Sequence, residues 1–313
     1  METTTGLAPL LAETAAGPGR PYTVLADRAD ATVIRIGTRV AKAHPPQTDP
    51  AELAVRLQVA AHPLLRGILL PPHPATRSPG ARPATAGGRL VTVWPYGEPV
   101  HPGEPCAAPW EAAATLLARL HTTPPEPLPG PLPPMRGPAK AAAAMARMAA
   151  VPGAASRPAA RTVRAAWHRL PAWARGQAPH PGPPALCHGD WHLGQLVRRA
   201  GHGAPDTDGW ALIDIDDLGA GDPAWDLARP AMWFGAGLLG PGEWARFLGA
   251  YRAAGGTAVP PDGDPWARLD VPARALAVQS AATALAKAAR DGREPDEDEY
   301  RLLAACDRIA QLE

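Results

Sequence analysis

Residues 187–195 read CHGDWHLGQ, and residues 212–217 read LIDIDD. These two stretches carry a carboxylate at Asp190, a side-chain amide five residues later at Gln195, and a second carboxylate at Asp214. Short apolar runs typical of strands flank the polar loop, and a turn-like insert separates the two stretches. Carboxylate and amide oxygens are suitable ligands for Mg²⁺. The order and spacing therefore predict that these side chains converge on one phosphate-bound magnesium ion.

The two stretches resemble the signatures of the aminoglycoside phosphotransferase and choline kinase-like family, which are small-molecule relatives of protein kinases. The usual motifs of that family are His-Gly-Asp-x-x-x-x-Asn and Ile-Asp-x-x-x-x-Gly-x-Gly-Asp-Pro-x-x-Asp-Leu-Ala, which correspond here to residues 188–195 and 213–228. The resemblance implies a bilobal, protein-kinase-like α+β fold with a small N-terminal antiparallel sheet lobe and a larger, mostly helical C-terminal lobe. It also implies transfer of the γ-phosphoryl group of ATP, with Mg²⁺, to a hydroxyl of a small molecule such as an aminoglycoside-like antibiotic, a sugar or an amino alcohol.

The same resemblance assigns the roles of individual residues. Asp190 corresponds to the catalytic base or orienting carboxylate, Gln195 and Asp214 correspond to magnesium ligands, and His188 to a structural member of the loop. Gln195 stands where the family usually has Asn, and its extra methylene displaces the amide oxygen by about one C–C bond. The chain contains no Asn at all, and the loop is similar to the His-Gly-Asp-x-His-Leu-Gly-Gln loop of bacterial maltokinases. We therefore expect Gln195 to be a working ligand.

Lys42 is the candidate phosphate-binding residue of the N-terminal region. Its ammonium is a flexible point charge that suits the α- and β-phosphates of a nucleotide, whereas a surface lysine at a strand end is the alternative interpretation. Glu52 is its candidate ion-pair partner, although position N3 of a helix capped by Asp49 explains this residue equally well. In a chain that otherwise prefers Arg, lysine occurs only at Lys42, Lys140 and Lys287.

A hinge is predicted near Trp94–Gly97, where a strand-like run gives way to a turn-rich stretch. This position divides the chain into a nucleotide-binding lobe over residues 1–97 and a catalytic and substrate-binding lobe over residues 98–313. Trp94 and Tyr96, at the hinge, are candidate nucleotide contacts. A glycine-rich phosphate loop is not visible, because the equivalent stretch Leu25–Thr32 contains no glycine.

Local patterns predict the elements of the two lobes. A β-meander with a turn at Gly37 spans Tyr22–Ala43, a capped helix follows from Asp49 to about Ala61, and proline-rich stretches at 71–88 and 124–138 read as loops. Strands are predicted over Arg89–Trp94, Leu196–Arg198 and Trp210–Ile215. Helices are predicted over 110–121, 139–150 and 158–175, followed by three or four helices from Pro223 to Glu313.

Composition and charge exclude several classes of function. With 31 Lys+Arg against 30 Asp+Glu the formal net charge is +1, so no strong field attracts nucleic acid or an anionic membrane. The three cysteines, Cys106, Cys187 and Cys306, form no CxxC pair, which argues against a disulfide framework or a thiolate zinc site. Neither a basic signal region nor an 18-residue apolar run is present. We expect a cytoplasmic protein whose partner is a small hydroxylated substrate, with no nucleic acid and no membrane; the oligomeric state is left open.

Two other functions remain as alternatives. One is a non-catalytic, kinase-like nucleotide-binding or regulatory protein, suggested by the missing glycine loop and by Gln195. The other is a zinc-dependent hydrolase that uses His188, Asp190 and His192, although zinc sites need further ligands.

Several residues keep two interpretations at this point. Asp222 and Asp226 are expected to cap or brace the helix that follows them. Asp216 and Asp217 are either neighbours of the metal site or polar loop residues. The acidic run 294–299 fits a helix N-terminus better than a pocket for a polycation.

Overall fold

The computed structural model describes residues 6–28, 31–73, 83–101, 107–199, 207 and 209–312. The chain forms two compact units. The first comprises Met1–Gly103, Pro125–Pro133 and Gly194–Asp216, and the second comprises Glu104–Pro124, Pro134–Leu193 and Asp217–Glu313. The sequence predicts one boundary between residues 97 and 98, whereas the units alternate along the chain. The reason is strand pairing, because residues 196–198 and 210–212 extend a ladder that begins at Glu98–Pro99.

The first unit contains a five-stranded antiparallel sheet of order β1-β2-β3-β5-β4. Its strands are β1 (Thr23–Asp27), β2 (Thr32–Ile36), β3 (Arg39–Ala43), β4 (Ala84–Ala86) and β5 (Arg89–Pro95). Gly37 adopts a φ of 58° in the tight turn between β2 and β3, a conformation that glycine adopts without strain. The predicted meander is therefore present, and β4 lies in a stretch that the sequence predicts to be a loop.

Alternation along the strands gives this sheet one apolar face. Ile34, Ile36, Ala41 and Ala43 are buried and pack against helix α1 (Leu7–Ala16), which the sequence analysis does not predict. Because side chains alternate between faces, the residues between these positions in β3 point to the opposite side of the sheet. Lys42 is one of them.

The other elements of the first unit are a helix and a small sheet. Helix α2 (Pro50–Ala61) begins where predicted, with Asp49 Oδ1 accepting hydrogen bonds from the backbone N–H groups of Ala51 and Glu52 at 2.7 and 3.0 Å. The small sheet has the order β6-β8-β9, with β6 (Glu98–Pro99), β8 (Leu196–Arg198) and β9 (Trp210–Leu212). Strand β9 ends three residues before the predicted end.

The second unit is mostly helical. Its helices are α3 (Trp110–His121), α4 (Gly137–Ala150), α5 (Pro158–Arg169), α6 (Ala224–Gly235), α7 (Pro241–Ala253), α8 (Trp266–Arg290) and α9 (Glu297–Ala310). The 25-residue helix α8 packs against α4, α5, α6 and α9, so it forms the centre of this unit. Two short strands, β7 (Ala185–Cys187) and β10 (Gly219–Gly221), pair antiparallel.

The predicted fold class is confirmed: the structure is a bilobal, kinase-like α+β fold. Helix α3 has the predicted bounds, whereas α5 ends at Arg169 rather than at residue 175. Leu170 precedes Pro171, and the residue before a proline is disfavoured in helical conformation. Among the described residues, no helix has the combination of length and apolar character that crossing a bilayer requires.

Candidate active site

Lys42 forms the centre of a charged group in the first unit. Its Nζ lies 2.7 Å from Asp214 Oδ1 and 3.0 Å from Asp216 Oδ2. His44 directly follows the last residue of β3, and its backbone N–H continues the pairing to Leu90. Two residues beyond Lys42, it lies on the same face and places Nδ1 2.9 Å from Asp216 Oδ1. The Nε2 atom of His44 lies 2.7 Å from Thr92 Oγ1 on the neighbouring strand β5. The sheet thus presents a lysine and a histidine to two carboxylates that follow strand β9.

The pKa values of this group reflect its pairing. Burial by itself lowers the pKa of Lys42, but the Asp214 and Asp216 carboxylates outweigh burial and hold that pKa well above its usual value. Burial alone raises the pKa of Asp216, yet Lys42 and His44 reverse the effect and hold it far below its usual range. Lys42 and Asp216 are therefore both charged across the physiological pH range.

Gln195 and Asp214 lie together in the first unit, as the sequence predicts for two ligands of one ion. The Nε2 of Gln195 donates a hydrogen bond to Asp214 Oδ2 at 3.3 Å. Asp214 has a φ of 64° and is the only non-glycine residue with a positive φ in the described part of the chain. Aspartate tolerates this left-handed conformation at a modest cost, and such backbone strain is concentrated at functional sites.

The donor set of this pair fits Mg²⁺. A half-exposed carboxylate at Asp214 and an amide at Gln195 offer oxygen ligands, the type that a hard divalent cation prefers. Rotation of the Gln195 side-chain amide exchanges its nitrogen and oxygen positions, so Oε1 can face the ion. Asp216 is already engaged by Lys42 and His44. Asp216 therefore anchors Lys42 in this structure.

Three further candidates of the first unit have other neighbours. Glu52 Oε2 accepts a hydrogen bond from Arg56 at 2.9 Å within α2, so the predicted Lys42–Glu52 ion pair is not formed. Trp94 is buried and donates its indole N–H to Thr92 Oγ1 at 2.9 Å. The ring of Tyr96 lies 3.6 Å below the guanidinium of Arg35. In the stretch Leu25–Thr32, which corresponds to the phosphate loop, residues 29–30 lie outside the described residues.

In the second unit, a buried carboxylate fixes the loop that carries Asp190. Asp226 accepts hydrogen bonds from the backbone N–H groups of His188 at 2.6 Å and Gly189 at 2.8 Å. His121 Nε2 lies 3.0 Å from the same carboxylate, and His121 Nδ1 lies 2.7 Å from the hydroxyl of Tyr251. Asp226 was expected to cap or brace its own helix. Because its side chain is buried beneath the loop, it braces the loop instead.

Asp222 contacts the start of helix α6. Its Oδ1 accepts the backbone N–H of Ala224 at 3.1 Å, at the start of α6. The same side chain pairs with His180 and Arg268, each at 3.2 Å. Asp222 therefore braces the start of α6.

Asp190 is held by cations on both of its oxygens. Lys140 Nζ, from the first turns of α4, lies 2.5 Å from Asp190 Oδ2 and 2.8 Å from Asp217 Oδ2. Arg229, from α6, donates to Asp190 Oδ1 at 2.9 Å and to the backbone oxygen of Trp191 at 3.2 Å. The candidate catalytic carboxylate is thus fixed in position by two helices.

The pKa values in this second group follow from burial and charge together. Burial raises the pKa of Asp190, but Lys140 and Arg229 outweigh it, so the net shift is downward. For Asp217 burial dominates, and the nearby Asp190 adds to it, so its pKa is raised despite Lys140. Lys140 has a raised pKa, because Asp217 and Asp190 outweigh the opposing effect of its own burial.

Sequence reasoning missed several members of these groups. The sequence analysis does not predict His44, Lys140 or Arg229, and it keeps two interpretations for Asp217. Lys140 had a usable signal, since the scarcity of lysine that singled out Lys42 applies equally to Lys140. Arg229 had no comparable signal in a chain rich in arginine.

The structure does not assemble the zinc site proposed as an alternative. Among the described residues, the group able to hold a metal is His121, Cys187 and Asp226, which is buried and includes neither Asp190 nor His192. Its histidine and carboxylate are already engaged with each other and with the loop. Cys187 and Cys306 are free and buried, and Cys106 lies outside the described residues.

The acidic run 294–299 serves the start of helix α9. Asp296 and Glu299 form a capping box, and Arg293 pairs with Glu299 at 2.6 Å. This confirms the interpretation of the run as a helix N-terminus. Trp191 is likewise a core residue, stacked on Phe247 with ring centroids 5.3 Å apart.

Comparisons with known proteins identify the family of the chain and similar folds. The model of a family described as the phosphotransferase enzyme family matches residues 22–270. A choline/ethanolamine kinase family protein from Mesorhizobium loti is 18% identical, with a TM-score of 0.56, and the match covers 95% of this chain and 97% of that one. None of the curated proteins matches the chain.

Two antibiotic kinases have similar folds. A thermostable variant of aminoglycoside phosphotransferase APH(4)-Ia, in a ternary complex with AMP-PNP and hygromycin B, is 14% identical with a TM-score of 0.58 over 95% of both chains. Aminoglycoside phosphotransferase APH(3'')-Id from Streptomyces rimosus is 24% identical with a TM-score of 0.53, covering 89% of this chain and 99% of that one. At these identities the likeness concerns the fold alone.

Replacing Gly189 by alanine tests the packing of the loop that carries Asp190. Gly189 has a φ of 85°, and an added Cβ would overlap the backbone oxygen of Asp217. We expect Gly189→Ala to lower the free energy of unfolding by more than about 2 kcal/mol, measured by urea denaturation. Gly153→Ala, at a φ of 81° with open space around it, isolates the backbone contribution and should cost only about 1 kcal/mol. Equal losses would contradict the packing argument.

The pairing of Asp216 predicts a pH dependence of stability. Because its pKa is lowered in the folded protein, the unfolded chain binds the proton more readily, and stability rises with pH. The contribution is complete above the unfolded pKa of about 3.9 and is lost as the pH falls through the folded pKa. We expect the free energy of unfolding to fall more steeply below about pH 5 in the wild type than in Asp216→Asn. Asp307→Asn, at an exposed position, should keep the wild-type slope.

Proposed function

Because the chain belongs to the phosphotransferase enzyme family, we propose that it transfers the γ-phosphoryl group of ATP to a hydroxyl group of a small molecule, in a reaction that needs Mg²⁺. The observation that carries this proposal is the group formed by Lys42, Asp214 and Gln195. A lysine able to contact phosphates, a carboxylate able to hold Mg²⁺ and an amide beside that carboxylate are parts that kinase-type phosphoryl transfer uses.

In this proposal the first unit binds the nucleotide. When the nucleotide binds, Lys42 Nζ leaves Asp214 and contacts the nucleotide phosphates. Asp216, which is itself held by His44, keeps Lys42 in place. Asp214 and Gln195 would hold Mg²⁺, which, when bound, neutralises charge on the phosphates. Trp94 and Tyr96 remain proposed nucleotide contacts. Glu52 is not proposed to take part in nucleotide binding, because it pairs with Arg56 within α2.

Asp190 acts on the acceptor hydroxyl. A general base works best when its pKa lies near the operating pH, whereas the pKa of Asp190 is lowered by Lys140 and Arg229. We therefore assign Asp190 mainly to orientation: its oxygen accepts the hydrogen bond of the hydroxyl and aligns the oxygen lone pair for attack. Asp226 maintains the loop that carries it. Most of the rate enhancement then comes from positioning and charge, as is usual for phosphoryl transfer.

Two variants separate these roles. Asp190→Asn should lower kcat by about 10²- to 10⁴-fold while leaving the affinity for ATP·Mg²⁺ nearly unchanged, because Asn cannot provide the charged acceptor for the hydroxyl. Asp214→Ala should lower both turnover and nucleotide affinity, because it removes the carboxylate that holds the ion. The measurements are ADP release with a panel of sugars, amino alcohols and aminoglycosides, and calorimetric titration with a non-hydrolysable ATP analogue.

Asp307→Asn serves as the matched control and should behave as the wild type, since Asp307 is exposed at the end of α9. Equal loss of nucleotide binding in Asp190→Asn and Asp214→Ala would contradict the division of roles. Nucleotide binding without turnover of any acceptor would favour the non-catalytic alternative.

A further inference from the structure

Lys140 places a positive charge directly beside the candidate catalytic carboxylate. Its ammonium lies between Asp190 and Asp217, at 2.5 and 2.8 Å, and its side chain is 30% exposed. Arg229 takes the other oxygen of Asp190 at 2.9 Å. The two carboxylates nearest the reacting position are therefore each satisfied by cations that belong to the protein itself.

The charged groups around Asp190 carry no net negative charge. Two carboxylates, Asp190 and Asp217, stand against two cations, Lys140 and Arg229, so the net charge of these four groups is zero. Arg136 lies 3.6 Å from Asp217 and adds a further, more exposed positive charge. A site that attracts a polycation needs a net negative charge, and this group of four side chains has none.

The pocket beside Asp190 also offers uncharged hydrogen-bonding groups. Trp191 and Gln279 line it together with Lys140 and Arg229. Within the described part of the chain, the buried Trp191 Nε1 donor and the Gln279 Oε1 acceptor have no hydrogen-bond partner. Both side chains are uncharged, so they add no negative charge to the group around Asp190.

We propose that Lys140 is a built-in cation of the acceptor site, and that the acceptor is an uncharged polyhydroxyl compound of the sugar or polyol type rather than a polycation. This inference rests on the function proposed above and adds the class of acceptor to it. Lys140 occupies the place beside Asp190 and Asp217 that an acceptor ammonium would otherwise take. An acceptor with an ammonium next to its reacting hydroxyl therefore meets a like charge, while a neutral hydroxyl meets an aligned carboxylate.

The test changes the charge of Lys140 and measures the discrimination between acceptors. Lys140→Met and Lys140→Gln remove the charge, and Lys140→Arg keeps it. Lys287→Met is the matched control, because it removes the same charge at an exposed position on α8. The probes are kanamycin, an aminoglycoside with several ammonium groups, and the pair glucose and glucosamine, which differ by one ammonium; maltose is a second neutral acceptor.

Equilibrium binding of kanamycin is measured by calorimetry with and without AMP-PNP and Mg²⁺. We expect both neutral variants to bind kanamycin at least about ten-fold more tightly than the wild type, since the like charge has been removed. Lys140→Arg and Lys287→Met should bind it as the wild type does. Kanamycin affinity that does not change in Lys140→Met or Lys140→Gln would overturn the proposal, as would an equal gain in Lys287→Met.

Phosphoryl transfer supplies the second readout. We expect kcat/KM of the wild type to be at least about ten-fold higher for a neutral saccharide than for its aminated counterpart, with the ratio reduced in Lys140→Met. A wild-type preference for glucosamine or kanamycin would overturn the proposal. Failure of the proposed function is distinguishable, because it shows as no binding of AMP-PNP in any variant, while the kanamycin titration still reports the effect of Lys140.

Discussion

The carboxylate of Asp226 is the interaction on which the second unit's candidate site depends. It is buried, and it accepts the backbone N–H groups of His188 and Gly189 while His121 holds it from the other side. A buried carboxylate is stabilised by such donors, and removing one of them leaves part of its hydrogen-bonding capacity unsatisfied. Any other conformation of the loop that carries Asp190 would take these N–H donors away from the buried Asp226 carboxylate and would therefore be less stable.

A comparable constraint operates in the first unit. The alternation of β3 places its small apolar residues against α1 and directs Lys42 and His44 to the other face, where Asp214 and Asp216 receive them. Asp214 accepts a left-handed backbone conformation as part of this arrangement. The first unit thus tolerates one strained residue while holding a charged group in a defined place, and such strain is concentrated at functional sites.

The sequence predicts those features that depend on neighbours along the chain. Helix α3 could be delimited from its periodicity, α2 from its cap, and the loop 187–195 from its motif. Contacts between distant residues were beyond reach. Lys140 meets Asp190 across 50 positions, and Lys42 meets Asp214 across 172, so no local pattern encodes either pair. The predicted Lys42–Glu52 pair is not formed for a different, local reason: Arg56 lies one helical turn from Glu52 and pairs with it.

The most direct test of the central claim is thermal stabilisation of the purified protein by nucleotide. A ligand that binds only the native state must raise the apparent stability. The account predicts that ATP with Mg²⁺ raises Tm more than ATP alone, and that the magnesium-dependent part of the shift disappears in Asp214→Ala. The absence of any shift with ATP, ADP or GTP, with or without Mg²⁺, would contradict the assignment of Lys42, Asp214 and Gln195 to a nucleotide site.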